Sequence, residues 1–334
     1  MTEAAFRRAA LLLASSLTAL LVLEGGVRVI TPQDLNGWWM ISHPSGLVLN
    51  RTEGTARHSF QDIEVEYSFG PHHNRVVTAA AGGGGRLLLL GDSFTFGWLV
   101  PDGSTIADRL QAQFKSHELI NVAVGGWGTA DHLKYLELFC ADLKPSLVYI
   151  FMNSYDIDRA VRSPLYRLDA KGEAVSNADV RSHPAKSLFN RIPGYGWLLE
   201  HSHLAQLARR SILATRAGPG PQVTVDGTAL GRALWLKLKA VTDACGTQLR
   251  VFFIGWARAD DAPENLTVPF VERALAEGFF DRHGIRFDTL RETAAMSDFL
   301  RERSRYEIPN DGHPNAAGAG LLYRALTEVI AGDP

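Results

Sequence analysis

The chain has 334 residues, 46% of them apolar and 21% charged, with a formal net charge of −2. That is enough apolar chain for a main globular domain of about 240 residues with a real core, plus a smaller addition. The near-neutral charge and scattered Arg and Lys exclude the basic field or stripe that would recruit nucleic acid.

The first 30 residues read as a membrane segment. Arg7 and Arg8 precede an uncharged apolar run over residues 9–23. A basic end before such a run is the layout of a targeting segment, with the basic side held in the cytoplasm. Residues 9–23 would span about 22 Å as helix, short of the ~30 Å hydrocarbon core. Extension to Val29 reaches about 31 Å and takes in Glu24 and Arg28, which would sit at the far interface. A cleaved signal peptide needs small residues in an A-x-A-like pattern after the run. Val22-Leu23-Glu24-Gly25-Gly26 fits that poorly, which favours an uncleaved signal anchor over cleavage. Both readings place the rest of the chain outside the cytoplasm.

Residues 31–85 read as a β-rich preamble ending in a glycine linker. The preamble lacks helical periodicity and holds alternating stretches such as Ile63-Glu64-Val65-Glu66-Tyr67. Gly82-Gly83-Gly84-Gly85 can bury no side chains and reads as a joint. A phosphate loop would need a Lys-Ser/Thr ending and a following helix, and has neither.

From Arg86 to the end, strands and helices alternate. RLLLLG is a continuous apolar strand, with a helix near 103–115; LINVAV follows, with a helix near 129–142; then comes SLVYIFM. After a long excursion over 156–225, which contains a short helix near 197–214, the rhythm resumes. A helix near 228–245 precedes LRVFFIG, a helix near 264–282 precedes IRFDTL, and a last helix covers 315–331. Continuous apolar strands separated by helices predict a five-stranded parallel sheet in a three-layer, flavodoxin-like α/β/α sandwich. Right-handed crossovers put the C-terminal ends of those strands on one rim, where sites gather. The excursion is too long for a mere connection and reads as a lid-like or partner-facing segment. Cys140 and Cys245 fall in predicted helices, in no CxxC or Cys/His cluster, so neither zinc nor a redox motif is expected. They are two buried free thiols or a disulfide, and spacing does not choose.

Four features lie on the predicted rim. Gly91-Asp92-Ser93-Phe94 follows the first parallel strand, so a sharp turn carries the Ser93 hydroxyl out of the sheet edge; a serine needs a base to become nucleophilic. Asn121-Val122-Ala123-Val124-Gly125-Gly126-Trp127-Gly128-Thr129 follows the second, and its glycines let a backbone N–H approach a ligand. Asn153 ends the third, where its amide can donate to a developing oxyanion. Asp311-Gly312-His313-Pro314-Asn315 precedes the last helix and pairs a histidine base with a carboxylate. Each has an ordinary structural reading as a cap, turn or surface loop.

In this order, the four resemble the block pattern of the SGNH (GDSL-like) serine hydrolases, bacterial members with an N-terminal membrane segment in particular, over about residues 86–331. The resemblance implies Ser93 as nucleophile, His313 as general base and then acid, and Asp311 as its partner. It implies an oxyanion hole from the N–H of Ser93, the N–H of Gly126 and the side chain of Asn153. It implies no metal or cofactor. The expected activity is hydrolysis or transfer of acyl groups on an acylated small molecule, glycan or lipid, in a single-pass protein of the bacterial inner membrane with its main domain in the periplasm. Three positions depart from the pattern. Phe151 and Ser154 replace residues of the Gly-x-Asn-Asp block, Ala123 stands where glycine is frequent, and the acid lies two residues before His313, with Asn310 at the commoner spacing. The alternative function is a non-catalytic, membrane-tethered subunit of a larger membrane-protein complex.

Aromatic residues crowd the same rim: Phe94, Phe96, Trp98, Trp127, Tyr155 and Trp256. About half are expected in the core. Trp127, Tyr155 and Trp256 are the candidates for substrate contact. Arg258 could meet an anionic substrate, though a solvated arginine is the simpler reading.

Overall fold

The computed structural model describes residues 2–79, 82–177, 180, 192–216, 226–256 and 265–331. Arg258 lies outside them.

Helix α1, Glu3–Ile30, buries none of its residues. The preamble follows as five short strands: β1, Met40–Ser42; β2, Val48–Asn50; β3, Thr55–Phe60; β4, Ile63–Gly70; and β5, Asn74–Arg75. β6, Arg86–Leu90, leads into the single-turn helix α2, Ser93–Phe96, and then α3, Ile106–Gln113. β7, Glu118–Asn121, leads to α4, Thr129–Leu143; β8, Leu147–Met152, leads to α5, Asp156–Arg162. The excursion contributes the hairpin β9, Tyr166–Leu168, with β10, Ala174–Ser176, and the helix pair α6, Tyr195–His201, and α7, His203–Arg216. Then come α8, Gly227–Ala244; β11, Gln248–Phe253; α9, Thr267–Ala276; α10, Phe279–Arg282; and β12, Arg286–Thr289. Helices α11, Ala294–Arg301, α12, Arg303–Tyr306, and α13, Ala316–Ile330, close the chain.

The main sheet has eight strands in the order β12-β11-β8-β6-β7-β5-β4-β3. The five strands from β12 to β7 are mutually parallel, as the sequence predicts. Taken in chain order they run 2-1-3-4-5, the flavodoxin-like order, whose switch point lies between the first and third strands, here β6 and β8. Ser93 and Asn153 follow those two strands, so topology alone brings them to one crevice.

β6 is apolar throughout because both of its faces are covered. Leu88 and Leu90 join the core formed with α4, α8 and α9, while Leu87 and Leu89 join the opposite core formed with α3, α11 and α13. All four are 0% exposed, and each contributes roughly 1.5–3 kcal/mol by burial.

The preamble is not a separate unit. β3, β4 and β5 extend the parallel sheet antiparallel beyond β7, joined through the single pair Arg75 with Asn121. The buried Arg75 guanidinium locks that junction. It donates to the carbonyls of Phe96, Gly97 and Val100 at 2.6–3.0 Å and pairs with Asp102 at 2.6 Å. Cys140 of α4 and Cys245 at the end of α8 form a disulfide, which sets aside the free-thiol reading. The single helix expected over 264–282 is broken into α9 and α10 at Gly278, which adopts a left-handed conformation (φ 62°).

Candidate active site

Asp92 caps α2: it is extended, and its Oδ1 accepts from the Phe94 N–H at 2.9 Å. Ser93 is therefore the first residue of a helical turn at the end of β6. Its N–H belongs to the first-turn amides that no helical carbonyl can reach. Among the described residues, neither it nor the N–H of Gly126 has an acceptor.

His313 arrives from a tight loop before α13. The Ile308 N–H donates to the His313 carbonyl at 2.8 Å, and Asn315 caps α13 through the N–H groups of Ala317 and Gly318. This holds the His313 Nε2 at 2.8 Å from Ser93 Oγ and its Nδ1 at 2.5 Å from Asp311 Oδ1. Burial pushes the Asp311 carboxyl up, but its hydrogen bond to the ring and the charge of His313 prevail and hold it below the ordinary carboxylate range. Asn310 is exposed in a left-handed turn (φ 63°), so the spacing departure is met by Asp311 itself. The ring of His313 stacks on Trp98 (5.6 Å, 30°) and lies 5.3 Å from Phe94.

Asn153 is 3% exposed. Its Oδ1 accepts from the Ser154 N–H at 2.7 Å, which fixes the amide, and its Nδ2 donates to Asp92 Oδ2 at 3.1 Å. Asn153, Ser93, His313 and Asp311 line one cleft of about 260 Å³, together with Phe94, Tyr155, Arg159 and Trp256. Gly126 sits in the exposed turn after β7 (φ 86°) and is not in that lining. Its neighbour Gly125 is the closer to the serine: a Cβ there would stand 3.8 Å from Ser93 Cβ.

Of the three aromatic candidates for substrate contact, Tyr155 and Trp256 line the cleft. Trp256 donates from Nε1 to Glu307 at 3.0 Å and meets Phe94 edge-on. Trp127 is corrected to a core residue. It is 2% exposed, and its Nε1 donates to the Val48 carbonyl at 2.7 Å, because the β1–β2 hairpin covers it. Phe96 is likewise core, 1% exposed.

Sequence reasoning missed a polar group behind the serine. Arg159 of α5 donates from Nη1 to Asp92 Oδ2 at 2.7 Å and to the Trp127 carbonyl at 2.8 Å. Nearby, burial pushes Asp131 up to about 6 and His132 down to about 4. Burial, and then the charge of Asp92, raise Asp156 well above its usual value. It also missed His58, which is buried 4.4 Å from Trp98 and hydrogen-bonded to the Tyr67 hydroxyl at 2.7 Å. The signal for His58 was available: it occupies an inward position of the alternating strand between Ala56 and Phe60. Among the described residues no cluster of His, Cys, Asp or Glu is arranged to hold a metal ion.

The model of the GDSL-like Lipase/Acylhydrolase family matches residues 89–321. Among solved structures, LAE5, an alpha/beta hydrolase enzyme from the metagenome of Lake Arreo, Spain, is 15% identical. The match covers 75% of this chain and 97% of that one, with a TM-score of 0.43. Axe2, an acetyl xylan esterase from Geobacillus stearothermophilus, is 17% identical over 75% and 96% of the two chains, with a TM-score of 0.43. The esterase EstA from Pseudoalteromonas sp. is 14% identical over 74% and 97%, with a TM-score of 0.40. No curated protein matches the chain in sequence.

Proposed function

Because the chain belongs to the GDSL-like lipase/acylhydrolase family, we propose that it is an extracytoplasmic serine ester hydrolase or O-acyl transferase acting through an acyl-enzyme on Ser93. The observation that carries this reading is the unbroken relay from Ser93 Oγ through both nitrogens of His313 to Asp311, at 2.8 and 2.5 Å. His313 Nε2 takes the serine proton as Oγ attacks the acyl carbonyl. Asp311 accepts from Nδ1–H, keeps the ring in the tautomer with Nε2 free, and stabilises the imidazolium that forms. The oxyanion is met by the N–H of Ser93 and the second hydrogen of Asn153 Nδ2, both in the cleft, with the N–H of Gly126, outside the cleft lining, as the third donor. His313 then protonates the leaving alkoxide. Water or an acceptor alcohol, deprotonated by the same ring, releases the acyl group from Ser93. The substrate class is an acylated small molecule, glycan or lipid, with Tyr155 and Trp256 as its aromatic contacts.

Two observations support the extracytoplasmic location. Among the described residues α1 is the one helix long and apolar enough to cross a membrane, and the Cys140–Cys245 disulfide suits an oxidising compartment.

The test is labelling by a fluorophosphonate probe, read by mass spectrometry. The expected result is a single adduct on Ser93 in the wild type and none in Ser93→Ala. An unlabelled wild type that cleaves no ester and co-purifies with an integral-membrane complex would replace this reading with that of a non-catalytic tethered subunit.

A further inference from the structure

The three proposed oxyanion donors come from three separate loops, after β6, β7 and β8. Two hydrogen bonds tie the first two loops near the strand ends: the Val124 N–H donates to the Gly91 carbonyl at 3.3 Å and Asn121 Nδ2 to the Thr95 carbonyl at 3.0 Å. Farther out, a single nitrogen joins the residues next to the donors. Arg159 Nη1 donates to Asp92 Oδ2 at 2.7 Å and to the Trp127 carbonyl at 2.8 Å. Asp92 Oδ1 caps the turn that begins with Ser93, and its Oδ2 receives Asn153 Nδ2 at 3.1 Å. Trp127 directly follows Gly126. Each donor is thus one residue or one hydrogen bond from a group that Arg159 holds.

We infer that Arg159 is a positioning residue that sets the spacing of the three oxyanion donors by tying Asp92 to the Trp127 carbonyl. The inference rests on the hydrolase reading above. The physical need for it is plain. Asp92 is 0% exposed, and a buried carboxylate without a compensating charge is costly. Its neighbours do not supply that charge: burial keeps His132 neutral, and Asp131 and Asp156 are themselves acids. The Arg159 guanidinium does, as an ion pair with Asp92. The two hydrogens of Nη1 are fixed in the guanidinium plane and serve a carboxylate and a carbonyl at once, whereas the hydrogens of an ammonium rotate freely. Without Arg159, Asp92 Oδ2 would keep Asn153 Nδ2 but lose its charged partner, and the Trp127 carbonyl, next to Gly126, would lose its tie to Asp92. A shift of about 1 Å in such donors can cost on the order of 100-fold in rate.

The experiment compares the full-length wild type with Arg159→Ala and Arg159→Lys, using 4-nitrophenyl acetate turnover and the rate of fluorophosphonate labelling. Arg159→Ala is expected to lower kcat and the labelling rate by about 10- to 100-fold, with KM unchanged within about twofold. Arg159→Lys should lie between it and the wild type. Guanidinium ion at millimolar concentration, too dilute to unfold the protein, should restore part of the Arg159→Ala rate by filling the vacated site. Wild-type kcat in Arg159→Ala overturns the inference. So does a loss that guanidinium and lysine both fail to relieve and that tracks a lowered melting temperature, which marks a merely structural role. A wild type that reacts with neither reagent overturns the hydrolase reading instead, and the inference falls with it. The wild-type measurement separates the two failures.

Discussion

On the proposed mechanism the two hydrogens of the Asn153 amide have two tasks. One hydrogen goes to Asp92, and the other is left for charge that develops on the acyl oxygen. That charge exists only in the transition state, so ground-state binding should hardly register its loss. Asn153→Ala is expected to lower kcat on a short acyl ester by about 100- to 1000-fold with little change in KM. The same steady-state assay separates Asp311 from Asn310. Asp311→Ala removes the 2.5 Å partner of His313 Nδ1 and should produce a deep loss, whereas Asn310→Ala, at an exposed turn, should produce a mild one. The reverse ranking would move the orienting role to Asn310. That Ser93, Asn153, Asp311 and His313 meet in one cleft was legible because each stands where a strand ends or the last helix begins, and rim position follows from topology. Arg159 was not legible. It lies in the first helix of an Arg-rich excursion, and which of those arginines turns inward depends on how α5 is docked. That docking involves distant partners, such as Thr267, whose hydroxyl donates to Asp158 at 2.7 Å from 109 residues away.

Among the elements, the five parallel strands could be read because burial on both faces leaves uninterrupted apolar runs in the sequence. The antiparallel extension could not. β3 and β4 show ordinary half-buried alternation, and their attachment to β7 depends on Arg75, whose side chain is polar yet 1% exposed. Nor did the sequence reveal that this extension reaches the site, where His58 packs against Trp98 and Trp98 against His313. Helices α11 and α12 escaped notice because each is short and their joint surface is charged, with Arg301, Glu302, Arg303 and Arg305 all close together. The pairing of Cys140 with Cys245 was equally open until α4 and α8 were seen side by side. It closes a segment of 105 residues, for which chain entropy gives about 4–5 kcal/mol of stabilisation. Thermal denaturation with and without reductant should show a drop of roughly 10 °C. Thiol titration of the unreduced, denatured protein should find no free thiol. Two titrating thiols would refute the bridge.

For the whole molecule, the question is how the globular part would sit if α1 crosses a membrane. Helix α1 has 28 residues, about 42 Å of helix, so it exceeds the ~30 Å hydrocarbon core and would tilt or project beyond it. The projecting end is not idle. Glu24 accepts from the Ser202 hydroxyl at 2.7 Å and from the N–H groups of His203 and Leu204 at 3.0 and 2.9 Å, which caps α7. Arg28 pairs with Glu24 and donates to the His201 carbonyl at 2.6 Å. A charged residue just past the apolar run is thereby satisfied by the globular part, and that part is fastened to the end of the helix. Cleavage in this region would remove the cap and leave the start of α7 with unpartnered N–H groups. We therefore predict that the mature protein keeps α1 and stays in the membrane fraction after a high-salt wash, which screens ionic attachment but leaves apolar insertion intact. Replacing Glu24 with Gln should leave that fractionation unchanged while raising the susceptibility of the α6–α7 pair to limited proteolysis, because the cap loses its charge and not the anchor its apolar run. N-terminal sequencing of a soluble product that begins near residues 25–32 would show instead that the segment is removed, and that the Glu24 cap plays no part in the mature fold.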